Sequence, residues 1–199
     1  MRAALRFAVG VACLLSAGGC AGLRTRAVLE NTARDRAAAL RLNDEGLSLA
    51  RDGHLEDAER ALRRAIAADP WCGPAHSNLG VVLLQQGKFY DAGWALTHAS
   101  QLMPQAAQPR LNLGVLYETA GKYADAEDEL RSALNLAPGD LEIVGHLARL
   151  RVRQKDYSSE TLTWLEAIAV GDNNPEWRDW AGQQLILAKS KHIGNGELP

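Results

Sequence analysis

Along the middle of the chain, small and apolar residues return at a fixed spacing of 34 positions. Gly46, Gly80 and Gly114 form one column, and Ala58, Ala92 and Ala126 a second. Leu62, Leu96 and Leu130 form a third, Ala65, Ala99, Ala133 and Ala167 a fourth, and Pro70, Pro104 and Pro138 a fifth. Five columns in one register mark a repeated supersecondary unit. Gly53, Gly87 and Gly121 fall where a first helix, helix A, would end, because glycine takes the left-handed conformation that closes a helix. Asp57, Asp91 and Asp125 then open a second helix, helix B, where a carboxylate meets the helix dipole favourably. The prolines follow helix B and stop it. Glycine and alanine at the first two columns let helix A approach helix B closely. Each unit is therefore predicted to be an antiparallel helix pair that cannot bury its own apolar face, so that stacking supplies the core.

The columns resemble the tetratricopeptide repeat, with a small residue at repeat position 8, Ala at 20, a large apolar residue at 24, Ala at 27 and Pro at 32. Units are expected at 39–72, 73–106 and 107–140. A fourth at 141–174 keeps Leu147, Ala148, Tyr157, Trp164 and Ala167 but has Glu160 and Asp172 where Ala and Pro are expected. The resemblance implies an all-α fold, a right-handed α-solenoid of helix pairs. A closing helix is expected over 175–191, with Trp177, Trp180, Gln184 and Leu187 at helical spacing, followed by a flexible tail at 192–199. Covering the end of the fourth unit is the use expected of Trp177 and Trp180, in preference to anchoring at a membrane interface.

The N-terminus breaks this pattern. Arg2 and Arg6 precede an uncharged apolar run at 7–15, and the small residues Ser16, Ala17, Gly18 and Gly19 lead to Cys20. This is the layout of a secretory signal, and the run is too short to span a bilayer. Ala17-Gly18-Gly19-Cys20 resembles the lipobox of bacterial lipoproteins, which implies a signal peptide at 1–19, a diacylglycerol on Cys20, and a lipidated tether and leading helix at 20–38. Ala17 departs from the commoner Leu, and an ordinary cleaved signal is the competing reading. Ala21, not Asp, follows the cysteine, which in a Gram-negative cell resembles a protein destined for the periplasmic face of the outer membrane. With Cys13 removed and Cys20 acylated, Cys72 is left without an intrachain disulfide partner.

The 199-residue chain carries 22 Lys+Arg against 24 Asp+Glu, a formal charge of -2. Removing Arg2 and Arg6 with the signal makes it -4, so nothing in the charge points to nucleic acid as a partner. The five histidines are scattered and no nucleophile carries a recognisable motif, so the chain is read as a non-enzyme without cofactor. Cys72 and His76 supply two ligands, short of the three or four of a zinc site; a buried Cys and an exposed His are expected there.

Binding is what the repeat resemblance implies, through side chains of the A helices. In this family they lie at repeat positions 2, 5, 6, 9, 12 and 13. The residues expected to line a peptide-binding groove are Asn43, Asp44 and Leu47, then Ser77, Asn78, Val81 and Leu84. Gln108, Leu111, Asn112, Val115 and Glu118 follow, and then Glu142, His146, Arg149 and Arg153. Asn78 and Asn112 could each pair with an extended backbone, since an amide both donates and accepts. His146, Arg149 and Arg153 share one helix face, able to receive an acidic segment or, the preferred reading, to pair with Glu118 and Glu142. The family's chaperone-tail clamp needs Lys or Arg where this chain has Asn43, Leu47, Gln108 and Asn112, so that activity is not carried over. The expected role is a lipid-anchored envelope adaptor whose groove holds a segment of another envelope protein. At the level of lipobox plus short array it resembles lipoproteins of Tad-type and type IV pilus and secretin assembly. The alternative is a structural or regulatory component that self-associates or positions a cell-wall enzyme.

Overall fold

A computed structural model describes residues 35–194, with side chains as far as Ser190. The expected signal peptide, Cys20, the tether before residue 35 and the end of the tail lie outside the described residues. Within them the chain forms α1 (Arg36–Arg51), α2 (Leu55–Ala68), α3 (Gly73–Gln85), α4 (Phe89–Leu102) and α5 (Ala107–Thr119). They continue as α6 (Tyr123–Leu136), α7 (Leu141–Arg153), α8 (Ser159–Gly171) and α9 (Pro175–Gly194). Among the described residues there is no strand, and no helix is long and apolar enough to cross a membrane. The closing helix runs past the expected residue 191 to Gly194.

Each A helix ends the same way. Gly53, Gly87 and Gly121 adopt φ of 81°, 76° and 74°, and the next amide reaches back to close the turn: His54 N to Leu49 O at 2.9 Å, Lys88 N to Leu83 O and Lys122 N to Tyr117 O at 2.8 Å. This is the Schellman arrangement, which satisfies carbonyls that the helix end would leave bare. In the fourth pair Lys155 takes the place at φ 61°, and Asp156 N still bonds Arg151 O at 2.9 Å. A side chain there strains the backbone by ~1–2 kcal/mol.

Pairs α1/α2, α3/α4, α5/α6 and α7/α8 pack face to face, and α1, α3, α5 and α7 also touch one another in sequence, forming an α-solenoid. The glycine column explains the closeness of the pairs. A Cβ on Gly46 would come within 2.6 Å of Leu62 Cγ, and one on Gly80 or Gly114 within 2.5 Å of Leu96 or Leu130 Cγ. The core is continuous across pairs: Leu62, Leu79, Leu83, Leu96 and Leu116 share one buried cluster, and Leu111, Leu130, Ile143 and Leu147 the next.

The fourth pair departs from the expected columns. Thr161, Leu165 and Ile168 are fully buried, whereas Ala167 and Glu160 are exposed and Trp164 is half-buried. Helix B is shifted by one position because the connection from α7 to α8 takes residues 154–158, longer than 52–54, 86–88 or 120–122. Ala148 stands in the glycine column of this pair and is itself fully buried. Beyond it, α9 lays Trp177 on Gly145, with ring atoms 3.1 Å from where a Cβ would sit. Ala181 and Trp180 join the buried cluster around Leu165 and Ile168. Gly182 continues the glycine column, but nothing lies within 4 Å of its added Cβ.

Candidate functional site

The face formed by α1, α3, α5 and α7 carries one half-buried apolar or cationic side chain per helix at the same repeat position: Leu47, Val81, Val115 and Arg149. Beside this row runs a ladder of amides. Asn78 Nδ2 donates to Asn43 Oδ1 at 2.8 Å, and Asn112 Nδ2 donates to Ser77 Oγ at 3.2 Å. Gln108 Nε2 donates to Asn112 Oδ1 at 3.3 Å, and Asn43 Nδ2 to Asp44 Oδ1 at 3.3 Å. The first two bond successive A helices to each other, because residues 35 apart sit side by side in adjacent units, and the last two lie within one helix. Asn43 and Ser77 are buried by this pairing. Asn78 and Asn112 are half-buried, and Gln108 is exposed. Leu111, expected on this face, belongs instead to the core, 1% exposed, against Ile143 and Leu147.

Charge gathers at the C-terminal end of the face. Arg149 forks onto Glu118, Nε to Oε1 at 2.8 Å and Nη2 to Oε2 at 2.7 Å, a bidentate charge-assisted pair. His146 Nδ1 lies 3.3 Å from Glu118 Oε2. The Arg149 guanidinium stands 5.2 Å over the Trp177 ring, and His146 meets the same ring edge-on at 5.6 Å. Burial opposes charge on Glu118, but the contacts from His146 and Arg149 outweigh it and hold its pKa down to about 2. Glu142 stays exposed, outside this set. Arg153 also leaves it: its Nη1 donates to Tyr123 Oη at 2.8 Å, with the guanidinium 5.2 Å over that ring. The expected cationic stripe of three is thus two residues locked onto Glu118 and one turned to α6.

Among the described residues no cluster of His, Cys, Asp or Glu is placed to hold a metal. Cys72 is buried, and His76, expected to be exposed, is buried as well, with Nε2 3.0 Å from Pro70 O. Burial holds His76 below its ordinary pKa, and Nδ1 has no partner. Ala75, His76 and Ser77 are buried one after another near the start of α3, where the pattern alone puts a polar position outward. A cavity of about 660 Å³ lies elsewhere, between α4 and the end of α5. The columns do not predict it, although Gly93, where other units have Glu59 and Glu127, is a readable departure.

The geometry of stacked helix pairs accords with comparisons to known proteins. Comparison with curated proteins finds no match. Among solved structures, pilF of Pseudomonas aeruginosa is 21% identical with a TM-score of 0.69, covering 79% of this chain and 71% of that one. MamA of Desulfovibrio magneticus is 18% identical with a TM-score of 0.60, covering 76% of this chain and 95% of that one. The second tetratricopeptide repeat domain of human RPAP3, solved with an HSP70 peptide, is 24% identical with a TM-score of 0.55, covering 58% of this chain and 96% of that one. Identities at this level speak to the fold alone. The tetratricopeptide repeat family model matches residues 43–99, 93–140 and 111–175, so with its helix pairs and 34-residue columns this chain belongs to the tetratricopeptide repeat family.

Proposed function

We propose that the protein is a binding scaffold whose inner face holds an extended segment of a partner protein. The observation that carries this is the row Leu47, Val81 and Val115 beside an amide ladder that is not saturated. Asn78 spends one N–H on Asn43, which leaves its carbonyl oxygen and second N–H for the backbone of a bound strand. The apolar row would take alternate side chains of that strand, which point to one face with a period of two. The peptide-bound RPAP3 domain, of the same fold, supports this reading.

The finer proposal is an adaptor anchored through a lipid on Cys20 at the periplasmic face of the outer membrane, serving pilus or secretion-system assembly. The lipobox-like Ala17-Gly18-Gly19-Cys20 and the fold shared with pilF support it. A lipid would raise the local concentration of the groove at the membrane, so that modest affinity suffices. Two experiments test these statements. Replacing Asn78 and Asn112 with Ala is expected to remove a partner captured by crosslinking in cells, with helical circular dichroism unchanged; an unchanged set of partners overturns the groove. Cys20→Ser is expected to abolish uptake of a fatty-acid label, and a variant that still takes it up overturns the anchor.

A further inference from the structure

Among the described residues, the outer faces of the stacked units are tied across their seams by ion pairs, with one exception. Between the first and second units, Lys88 Nζ pairs with Glu59 Oε2 at 2.8 Å. Between the third and fourth, Arg151 pairs with Glu127, and Arg131 with Glu160 at 3.1 Å. Glu59 and Glu127 stand at the same repeat position, and the residue between them in the series is Gly93. Lys122 stands where Lys88 does, one unit on. At the middle seam, then, the lysine is kept and its glutamate is replaced by glycine. Lys122 instead lies 5.9 Å from the Tyr117 ring.

The missing side chain leaves the groove of about 660 Å³ between α4, the end of α5 and Lys122. Its floor is Leu116, whose Cδ2 would be 3.3 Å from a Cβ on Gly93. Its wall is Phe89, Tyr90 and Trp94, the last two 89% and 62% exposed, an unusual cost for a solvated helix face. Trp94 is not loose. It stacks on His98 at 5.5 Å and 13°, and His98 sets its edge against the buried His76 ring at 4.5 Å. Among the described residues, none that lines the groove is acidic.

We propose that this outer groove is a second docking site, distinct from the inner face, for a protein segment that presents a carboxylate next to an aromatic side chain. The carboxylate takes the place beside Lys122 that Glu59 takes beside Lys88, and the ring lies on Leu116 against Trp94. The cation without an acid, in a lining rich in aromatic rings, selects this chemistry. A polyanion such as single-stranded nucleic acid would want a row of cations, and the groove supplies one lysine.

The test uses the full chain, with binding followed by the NMR shift of the Trp94 indole. The probes are a capped Phe-Glu peptide, its Phe-Gln counterpart, and a ten-nucleotide oligothymidine. The Phe-Glu peptide is expected to shift Trp94 and to bind at least fivefold tighter than Phe-Gln, a preference that Lys122→Ala abolishes. Gly93→Glu supplies the missing carboxylate from within; it is expected to weaken the Phe-Glu peptide at least tenfold while the thermal midpoint stays level or rises. That pairing separates occlusion of the groove from unfolding. Asn78→Ala with Asn112→Ala is expected to leave this binding untouched. The proposal is overturned if millimolar Phe-Glu peptide leaves Trp94 unmoved, if both peptides bind alike, if Gly93→Glu binds as the native chain does, or if oligothymidine binds in their place.

Discussion

Gly80 and Gly182 occupy the same column of the repeat but face opposite surroundings. A methyl on Gly80 would meet Leu96 Cγ at 2.5 Å in a fully buried setting, whereas one on Gly182 would meet nothing within 4 Å. Alanine is the better helix former by up to ~1 kcal/mol, and overpacking a core costs about 1–3 kcal/mol. Gly80→Ala is therefore expected to lower stability by about 1–2 kcal/mol and Gly182→Ala to raise it by about 0.5–1 kcal/mol, both read from urea unfolding. The glycine column was legible in the sequence because a period of 34 exposes it. What each glycine touches was not, since Gly182 and Gly80 look alike as letters. Nor was the pairing of Asn78 with Asn43, because consensus position alone does not say whether an amide turns to solvent or to its neighbour. The burial of His76 was illegible for a similar reason: no local pattern records that Ala75, His76 and Ser77 are all buried.

Helix α8 shows how an element can keep its letters and lose its register. Trp164 and Ala167 fit the columns by position, yet Leu165 and Ile168 do the packing, because two more residues in the preceding connection let the helix turn on its axis. Sequence columns hold only as long as every connection keeps its length. The tie between α5 and α7 is the other element-scale feature that spacing alone left open, since Glu142 was as available on paper as Glu118. Its pH dependence follows from Glu118, faced by His146 and Arg149. The carboxyl has an ordinary value of 4.5 and is held to about 2 in the fold, so folding keeps it ionised. That contribution, at most ~3 kcal/mol, is fully present above about pH 4.5 and is lost as pH falls through about 2. Glu118→Gln is expected to be less stable than the native chain at pH 6, and the gap in unfolding free energy is expected to close between pH 4.5 and pH 2. A gap that stays constant over that range shows that the pair contributes through packing and not through charge.

For the molecule as a whole, the solenoid contacts run between neighbouring units, so each seam is set by the two units that meet there. Agreement among the columns defines the array, and the departure at Gly93 marks where one seam differs from the rest. A seam of this kind can be counted and copied. Inserting a second copy of residues 73–106 after the first would set the first copy's Gly93 and Trp94 against the second copy's Lys88, without a glutamate between them. The lengthened chain would carry two outer grooves in tandem, the first floored by the second copy's Val82 and the second by Leu116, and a probe bearing two Phe-Glu segments on a linker that spans one repeat should gain affinity by avidity where the native chain shows none. The replacement of one glutamate by glycine thus makes valency on the outer face a property set by which unit is duplicated: copying 39–72 instead would set the first copy's Glu59 against the second copy's His54, keep the glutamate side chain at the seam and add no groove.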